Sequence, residues 1–180
     1  MKYELTNETK AVNGKTLFRI RALEDFSNVK AGDLGGWIES ESNLSQEGTC
    51  WVYGKAQVYD SAQVFGGARV SGGAQVSGEA RVSGEAWVSG SAQVFGEAWV
   101  SGKAYIKSVA DYIVVGPAQS SGRFTTAYIV ENSIVVTTGC FTGTLEEFKL
   151  AIEKTHGHNP SYLKQYRGFA NFIGENFETL

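Results

Sequence analysis

A six-residue pattern, repeated nine times without interruption from Gly54 to Lys107, constrains the fold of this chain more than any other feature. The units are GKAQVY, DSAQVF, GGARVS, GGAQVS, GEARVS, GEAWVS, GSAQVF, GEAWVS and GKAYIK. The third position is always Ala, and the fifth is Val or Ile. Repetition at a fixed short period is typical of solenoid proteins, in which each unit packs only on its neighbours.

Each unit predicts one short strand followed by one corner. Successive side chains of a strand point to opposite faces, so Ala and Val face inward and the residue between them faces outward. The units open with Gly or Asp, which suit a sharp corner. Three such sides would close a coil of eighteen residues, and successive coils would stack about 4.8 Å apart. Each buried Val would stabilise the stack by about 1.5–3 kcal/mol.

The hexads resemble the hexapeptide-repeat family of left-handed parallel β-helices, and the left-handed sense is implied by this resemblance alone. The predicted fold class is mainly β: a left-handed parallel β-helix of hexapeptide repeats with an N-terminal β-hairpin cap and a C-terminal α/β unit. The β-helix is expected to cover residues 34–107. Its first coils are imperfect, with two residues inserted near Gln46 and Glu47, and Cys50 takes the place of the inward Ala.

The two ends of the chain predict units that close or flank the solenoid. In residues 1–33 the runs KYELT and KTLFRIRAL flank Asn13-Gly14, a strong hairpin signal. A solenoid exposes an apolar cross-section at each end, so this hairpin is expected to be a cap. Residues 108–180 predict three strands, DYIVVGPA, RFTTAYIV and SIVVTTGCF, and two helices. A capping box at Thr144 starts the first helix, and Asn159-Pro160 starts the second.

The net charge and the hydropathy of the chain limit the kinds of partner that it can bind. The formal net charge is −3 and the isoelectric point is about 5.5, which argues against a broad surface for nucleic acid or anionic membranes. No apolar run approaches the ~18 residues of a membrane span, and MKYELTNETK lacks the apolar core of a secretory signal. We therefore expect a cytoplasmic protein that contacts no membrane. Cys50 and Cys140 lack metal-type spacing and are expected to be reduced thiols.

The histidines argue against catalysis by the coils. The hexapeptide-repeat acyltransferases that the coils resemble use a histidine as general base, and the related zinc carbonic anhydrases use three. This chain has His156 and His158, both beyond the repeats. We predict no catalytic residue, no metal and no cofactor, with an acyltransferase as the alternative. Cys140 and His156 could act as nucleophile and base if the fold brought them together, although the sequence offers no third group to orient them.

An eighteen-residue coil stacks every third hexad, so the outward positions fall on three faces. These are Trp51, Arg69, Trp87 and Tyr105 on the first face, Asn43, Gln63, Arg81 and Trp99 on the second, and Trp37, Gln57, Gln75 and Gln93 on the third. Outward aromatic side chains indicate contact with a partner, because large apolar surface is normally hidden. The predicted ligand-binding or interface residues are Trp51, Arg69, Trp87, Tyr105, Arg81 and Trp99.

The sequence is compatible with two kinds of partner for these faces, a neighbouring subunit or a small ligand. The resemblance to hexapeptide-repeat proteins implies a homo-oligomer, most commonly a trimer, in which the Trp and Arg ladders would pack between subunits. The other partner is a nucleotide-like ligand, since Trp stacks on a planar ring and Arg pairs with phosphate.

A second resemblance bears on function. The segment GDLGGWIESESNLSQEG, the hexads and the tail GCFTGTLEEF are similar to a family of phage- and prophage-encoded hexapeptide-repeat proteins. This resemblance implies a non-enzymatic protein that antagonises a defence system in the cytoplasm of the bacterial host, by sequestering a cyclic nucleotide signal or by binding a host protein. The alternatives are an acyltransferase and a structural virion or scaffold protein.

Overall fold

A computed structural model describes residues 1–177, and the chain divides into two compact units, with the boundary in the sequence between Val109 and Ala110. The first unit is almost entirely β structure, and the second combines an antiparallel sheet with two helices. Within residues 1–177, no helix combines the length and the apolar character that a membrane crossing requires.

The first unit begins with the predicted hairpin. Strand β1 (Tyr3–Val12) pairs antiparallel with β2 (Lys15–Ala22), and Asn13 and Gly14 between them have the positive φ angles of 48° and 79° that such a turn needs. Strand β2 pairs in turn with β3 (Leu34–Ile38), which belongs to the first coil. The cap therefore continues directly into one face of the solenoid.

Ten two-residue strands follow, after a short 3-10 helix over Glu41–Asn43. They are β4 (Trp51–Val52), β5 (Gln57–Val58), β6 (Gln63–Val64), β7 (Arg69–Val70), β8 (Gln75–Val76), β9 (Arg81–Val82), β10 (Trp87–Val88), β11 (Gln93–Val94), β12 (Trp99–Val100) and β13 (Tyr105–Ile106). Strands that are one coil apart pair in parallel. This pairing gives three sheets with the strand orders β3-β5-β8-β11, β4-β7-β10-β13 and β6-β9-β12. The inward Ala and Val side chains are buried. The predicted parallel β-helix with coils of eighteen residues is confirmed.

The corners require glycine both for conformation and for space. Gly84 has a φ of 65°, and a Cβ atom there would lie 2.8 Å from the backbone nitrogen of Gly102 in the next coil. At Asp60, which opens the second hexad, the same corner is made without glycine at a φ of 58°. This position tolerates Asp because short polar side chains stabilise the left-handed conformation locally.

The second unit contains the strands β14 (Tyr112–Val115), β15 (Thr125–Val130), β16 (Ser133–Thr138) and β17 (Phe141–Thr144) in one antiparallel sheet, after a 3-10 turn at Val109–Asp111. The sequence predicts three strands here. The structure has four because Gly139, at a φ of 57°, and Cys140 form a two-residue turn, and Thr138 then pairs with Phe141.

Two helices cover this sheet. Helix α1 (Leu145–His156) starts at the predicted capping box, in which Thr144 and Glu147 bond each other's backbone N–H groups. Helix α2 (Pro160–Phe177) starts after Asn159, whose side-chain oxygen accepts hydrogen bonds from the next turn. The buried core of this unit consists of Ala118, Ala127, Val136, Leu145, Phe148, Ile152, Tyr166, Ala170, Ile173 and Phe177.

Candidate functional site: the aromatic face of the solenoid

The parallel sheet β4-β7-β10-β13 aligns the predicted first ladder in register. Trp51 pairs with Arg69, Arg69 with Trp87, and Trp87 with Tyr105. In the neighbouring sheet, Gln63 pairs with Arg81 and Arg81 with Trp99. The stacking order of the outward positions thus follows the eighteen-residue period.

Trp51 nevertheless does not face solvent, which corrects its predicted exposure. Its side chain is 1% exposed because the cap covers it. The rings of Tyr3 and Phe26 lie edge-on to the indole, with centroids 6.1 and 5.3 Å away. Gly35 of β3 leaves room for the indole, since a Cβ atom there would lie 2.7 Å from it. Trp51 is part of the junction between cap and solenoid and is inaccessible to a ligand.

Two further residues of the predicted outward set are also covered. Asn43 is buried and donates hydrogen bonds from its side-chain amide to the carbonyl oxygens of Asp60 and Ala62, so it caps the first coil instead of facing out. Trp37 is half-buried beneath Lys10, whose ammonium lies 4.7 Å from the ring. The first coil therefore has little free aromatic surface.

The accessible part of the first ladder lies on the later coils. Trp87 and Tyr105 are 41% and 44% exposed, and their ring centroids are 5.1 Å apart with a tilt of 35°. The ammonium of Lys107 lies 4.6 Å from the centre of the Tyr105 ring, and Arg69 is exposed one coil below Trp87. We call Arg69, Trp87, Tyr105 and Lys107 the aromatic face.

A hydrogen bond that the outward-facing pattern does not predict holds the central ring, that of Trp87, in place. The indole N–H of Trp87 donates to the hydroxyl oxygen of Ser71 at 2.8 Å, sixteen residues earlier. Trp99 donates to Ser83 with the same separation, at a longer 3.4 Å. The sequence signal for this contact is Ser at the sixth position of a hexad, followed by Trp sixteen residues later.

Arg69 and Arg81 differ in their surroundings. Arg81 lies over the half-buried Trp99, with its guanidinium carbon 6.0 Å from the ring centre. Arg69 makes no such cation–π contact within residues 1–177. Burial raises the pKa of the neighbouring Tyr53, and the charge of Arg69 acts against that rise. The guanidinium of Arg69 thus remains open to a ligand.

The second unit brings Cys140 and His156 to the same cavity of about 640 Å³. They do not form a nucleophile and base pair, because in the described part of the chain no hydrogen bond joins them. The imidazole of His156 instead stacks on Tyr166, with centroids 4.6 Å apart and planes within 7°. Within residues 1–177, no group of three or more His, Cys, Asp or Glu side chains is placed to share a metal ion.

Comparison with known proteins supports the repeat. Residues 74–90 match the family model described as the YdcK beta solenoid repeat. A stretch of 60 residues is 42% identical to a protein of Escherichia coli (strain K12) described as the uncharacterized acetyltransferase YdcK. That stretch covers 29% of this chain and 18% of the length of that protein. The chain therefore contains a β-solenoid repeat similar to that of YdcK.

Proposed function

We propose that this protein is a non-enzymatic binding protein whose ligand surface is the aromatic face. The observation that supports this proposal is the pair of exposed rings of Trp87 and Tyr105, 5.1 Å apart and flanked by two cationic side chains. Exposed aromatic rings at adjacent coils are costly to leave in water and are typical of surfaces that meet a partner.

The chemistry of the face favours a nucleotide. A planar base stacks on Trp or Tyr, with about 1–3 kcal/mol lost for each ring removed. An Arg side chain pairs with phosphate through two parallel hydrogen bonds, and Lys adds a point charge. In residues 1–177 the guanidinium of Arg69 has no ion-pair partner that would compete with a phosphate.

The rigidity of the face is the second contribution to binding. The strand that carries Trp87 is paired in parallel on both sides, and the hydrogen bond to Ser71 restricts the indole further. The strand that carries Tyr105 is paired with that of Trp87. A surface that is ordered before binding loses little conformational entropy when the ligand arrives.

The proposal extends to assembly and biological role. A homo-oligomer, with three subunits as the resemblance implies, would place the aromatic face beside a neighbouring subunit and so enclose the ligand. In the phage context implied by the same resemblance, tight binding of a cyclic nucleotide would remove a signal on which a bacterial defence system depends.

Isothermal titration calorimetry with cyclic nucleotides, at fixed moderate salt, tests the proposal. Arg69→Gln should weaken binding by about 1.5–3 kcal/mol, because a hydrogen-bonded phosphate loses its charged donor. Arg81→Gln is the matched control, since Arg81 occupies the equivalent position on the neighbouring face and already lies over Trp99. The parent nucleosides, which lack phosphate, should bind both variants alike. No binding by the unmodified protein across a set of cyclic mono- and dinucleotides would refute the proposal.

An acyltransferase is the second candidate, and the stretch of 42% identity to a protein described as an acetyltransferase favours it. The repeats contain no histidine to act as general base, which weighs against catalysis by the coils. Incubation with acetyl-coenzyme A and amine, hydroxyl or sugar acceptors tests this candidate. Turnover that His156→Ala abolishes would favour the enzyme over the binding protein.

A further inference from the structure

The second unit contains a cavity that the aromatic face does not involve. Its volume of about 640 Å³ lies within the range of small-molecule sites, about 300–1,000 Å³. Three elements line it: the loop that follows β14, the turn between β16 and β17, and one side of helix α1 from Phe148 to His156. Tyr166 of α2 completes the wall.

The inner wall of the cavity is apolar and partly aromatic. Phe148, Ile152 and Tyr166 are buried core residues that border the cavity, and the ring of Phe141 packs 5.5 Å from that of Phe148. Together these side chains form the apolar wall of the cavity. The exposed lining residues include Ser121, so the polar groups lie toward the opening.

Arg123 gives the opening a positive charge. Its guanidinium rests against the β16–β17 turn, because a Cβ atom built on Gly139 would lie 3.3 Å from Arg123 Nη1. The described residues that line the cavity include no Asp or Glu. Within residues 1–177, Arg123 also has no ion-pair partner. A cation beside an apolar cavity, without a local counter-charge, is suited to an anionic group on a ligand.

The walls of the cavity are held by contacts between the loop and the two helices. Tyr166 shares a hydrogen bond of 2.9 Å with the hydroxyl of Ser120, and its ring stacks on His156 of α1. The backbone N–H of Gln119 donates to the side chain of Gln165 at 2.8 Å. The loop that carries Arg123 is therefore fixed to the helices that supply the apolar wall.

We propose that this cavity is a binding site for a small molecule with a flat apolar body and one anionic group. The body lies on Phe141, Phe148 and Ile152, and the anion pairs with Arg123. This site is independent of the proposed nucleotide surface, since it lies in the other unit and shares no residue with it.

The fluorescent dye 1-anilinonaphthalene-8-sulfonate has the required aromatic body and single anion, and it serves as the probe. The native protein, with its near-ultraviolet circular dichroism unchanged, should bind the dye with enhanced fluorescence. Naphthoate should displace the dye, and the uncharged naphthalenemethanol should not. Arg123→Gln should weaken dye binding about tenfold or more, since a charged hydrogen-bond donor is lost.

Two matched controls and an independent readout separate this site from others. Arg167→Gln removes an exposed cation of the same unit that pairs with Glu153, and Lys164→Gln removes another exposed cation that does not line the cavity; both should leave the dye titration unchanged. The thiol of Cys140 lines the cavity and is exposed, whereas Cys50 is buried. Bound dye should therefore slow the reaction of one fast thiol with a disulfide reagent. The proposal is overturned if Arg123→Gln binds the dye as the native protein does, or if saturating dye leaves the Cys140 rate unchanged.

Discussion

The ammonium nitrogen of Lys2 lies 3.0 Å from the carbonyl oxygen of Cys50, and both side chains are buried. The same ammonium donates to the carbonyl oxygen of Glu47 at 3.3 Å and lies 5.3 Å from the centre of the Phe26 ring. Glu47 belongs to the two-residue insertion in the early coils. Lys2 thus provides hydrogen bonds to the backbone of the irregular corner, where the chain departs from the regular hexads.

Replacement of Lys2 should therefore destabilise the cap and the first coils. Lys2→Met keeps an unbranched side chain of similar length but leaves buried carbonyl oxygens without a donor, at a cost of about 1–3 kcal/mol in the free energy of unfolding. Urea unfolding followed by circular dichroism measures the change. Lys55→Met, at an exposed corner of the regular coils, is the control and should change stability little. Equal losses in the two variants would contradict the role assigned to Lys2.

The stacking of corners makes a second prediction, for which the chain offers a matched pair of glycines. Gly84 and Gly96 have φ angles of 65° and 66°, so Ala at either site is strained by about 1–2 kcal/mol. A Cβ atom at Gly84 would also lie 2.8 Å from a backbone nitrogen, whereas at Gly96 it meets no atom within 4 Å. Gly84→Ala should lower the midpoint of thermal unfolding clearly more than Gly96→Ala. Equal shifts of the two midpoints would mean that the close approach of Gly84 to the next coil adds no cost to the substitution.

Acid sensitivity is expected at the corner where Asp60 replaces glycine. The hydrogen bond from Lys15, at 2.8 Å, and a second from the backbone N–H of Gly78 hold the pKa of Asp60 below its ordinary value. Because the pKa is lower in the folded state, the stabilisation is present above the ordinary carboxyl pKa and is lost as the pH falls through the folded-state pKa. The Asp60→Asn variant should therefore have a lower free energy of unfolding than the native protein at neutral pH. Acidification should then lower the free energy of unfolding of the variant by less than that of the native protein.

Urea unfolding of both proteins at neutral and strongly acidic pH provides the comparison. Glu24 is an exposed carboxylate of the cap that has no ion-pair partner within residues 1–177, so Glu24→Gln controls for the general effect of removing one negative charge. If the two variants have the same pH dependence, the corner at Asp60 has no special part in acid stability.

The repeat period determined how much of the fold could be predicted. Pairings such as Trp87 with Tyr105 follow from the eighteen-residue coil alone, because parallel strands of a solenoid stack at fixed sequence separation. The burial of Trp51 could not be predicted in this way, since it depends on Tyr3 and Phe26 in the non-repeating cap.

The cavity of the second unit also could not be predicted from the sequence pattern. Arg123, Cys140 and His156 come from a loop, a turn and a helix end, and no periodicity relates their positions. The sequence does not reveal the short turn at Gly139, because a β-branched run precedes it and the aromatic Phe141 follows it, which favours one continuous strand. Only the hairpin pairing of β16 with β17 places Cys140 at the edge of the cavity.

The aromatic face makes the last prediction, which distinguishes a ligand surface from a seam between subunits. Trp87→Ala removes the central ring while Ser71, its hydrogen-bond acceptor, stays in place and can bond water. On a ligand surface the sedimentation coefficient should remain that of the native protein, while nucleotide binding weakens by about 1–3 kcal/mol through loss of one stacking ring. Trp99→Ala is the control from the neighbouring face, where the indole is half-buried beneath Arg81. If Trp87→Ala sediments as a smaller species and loses binding only together with assembly, the exposed rings belong to a subunit interface and the ligand surface must be sought elsewhere.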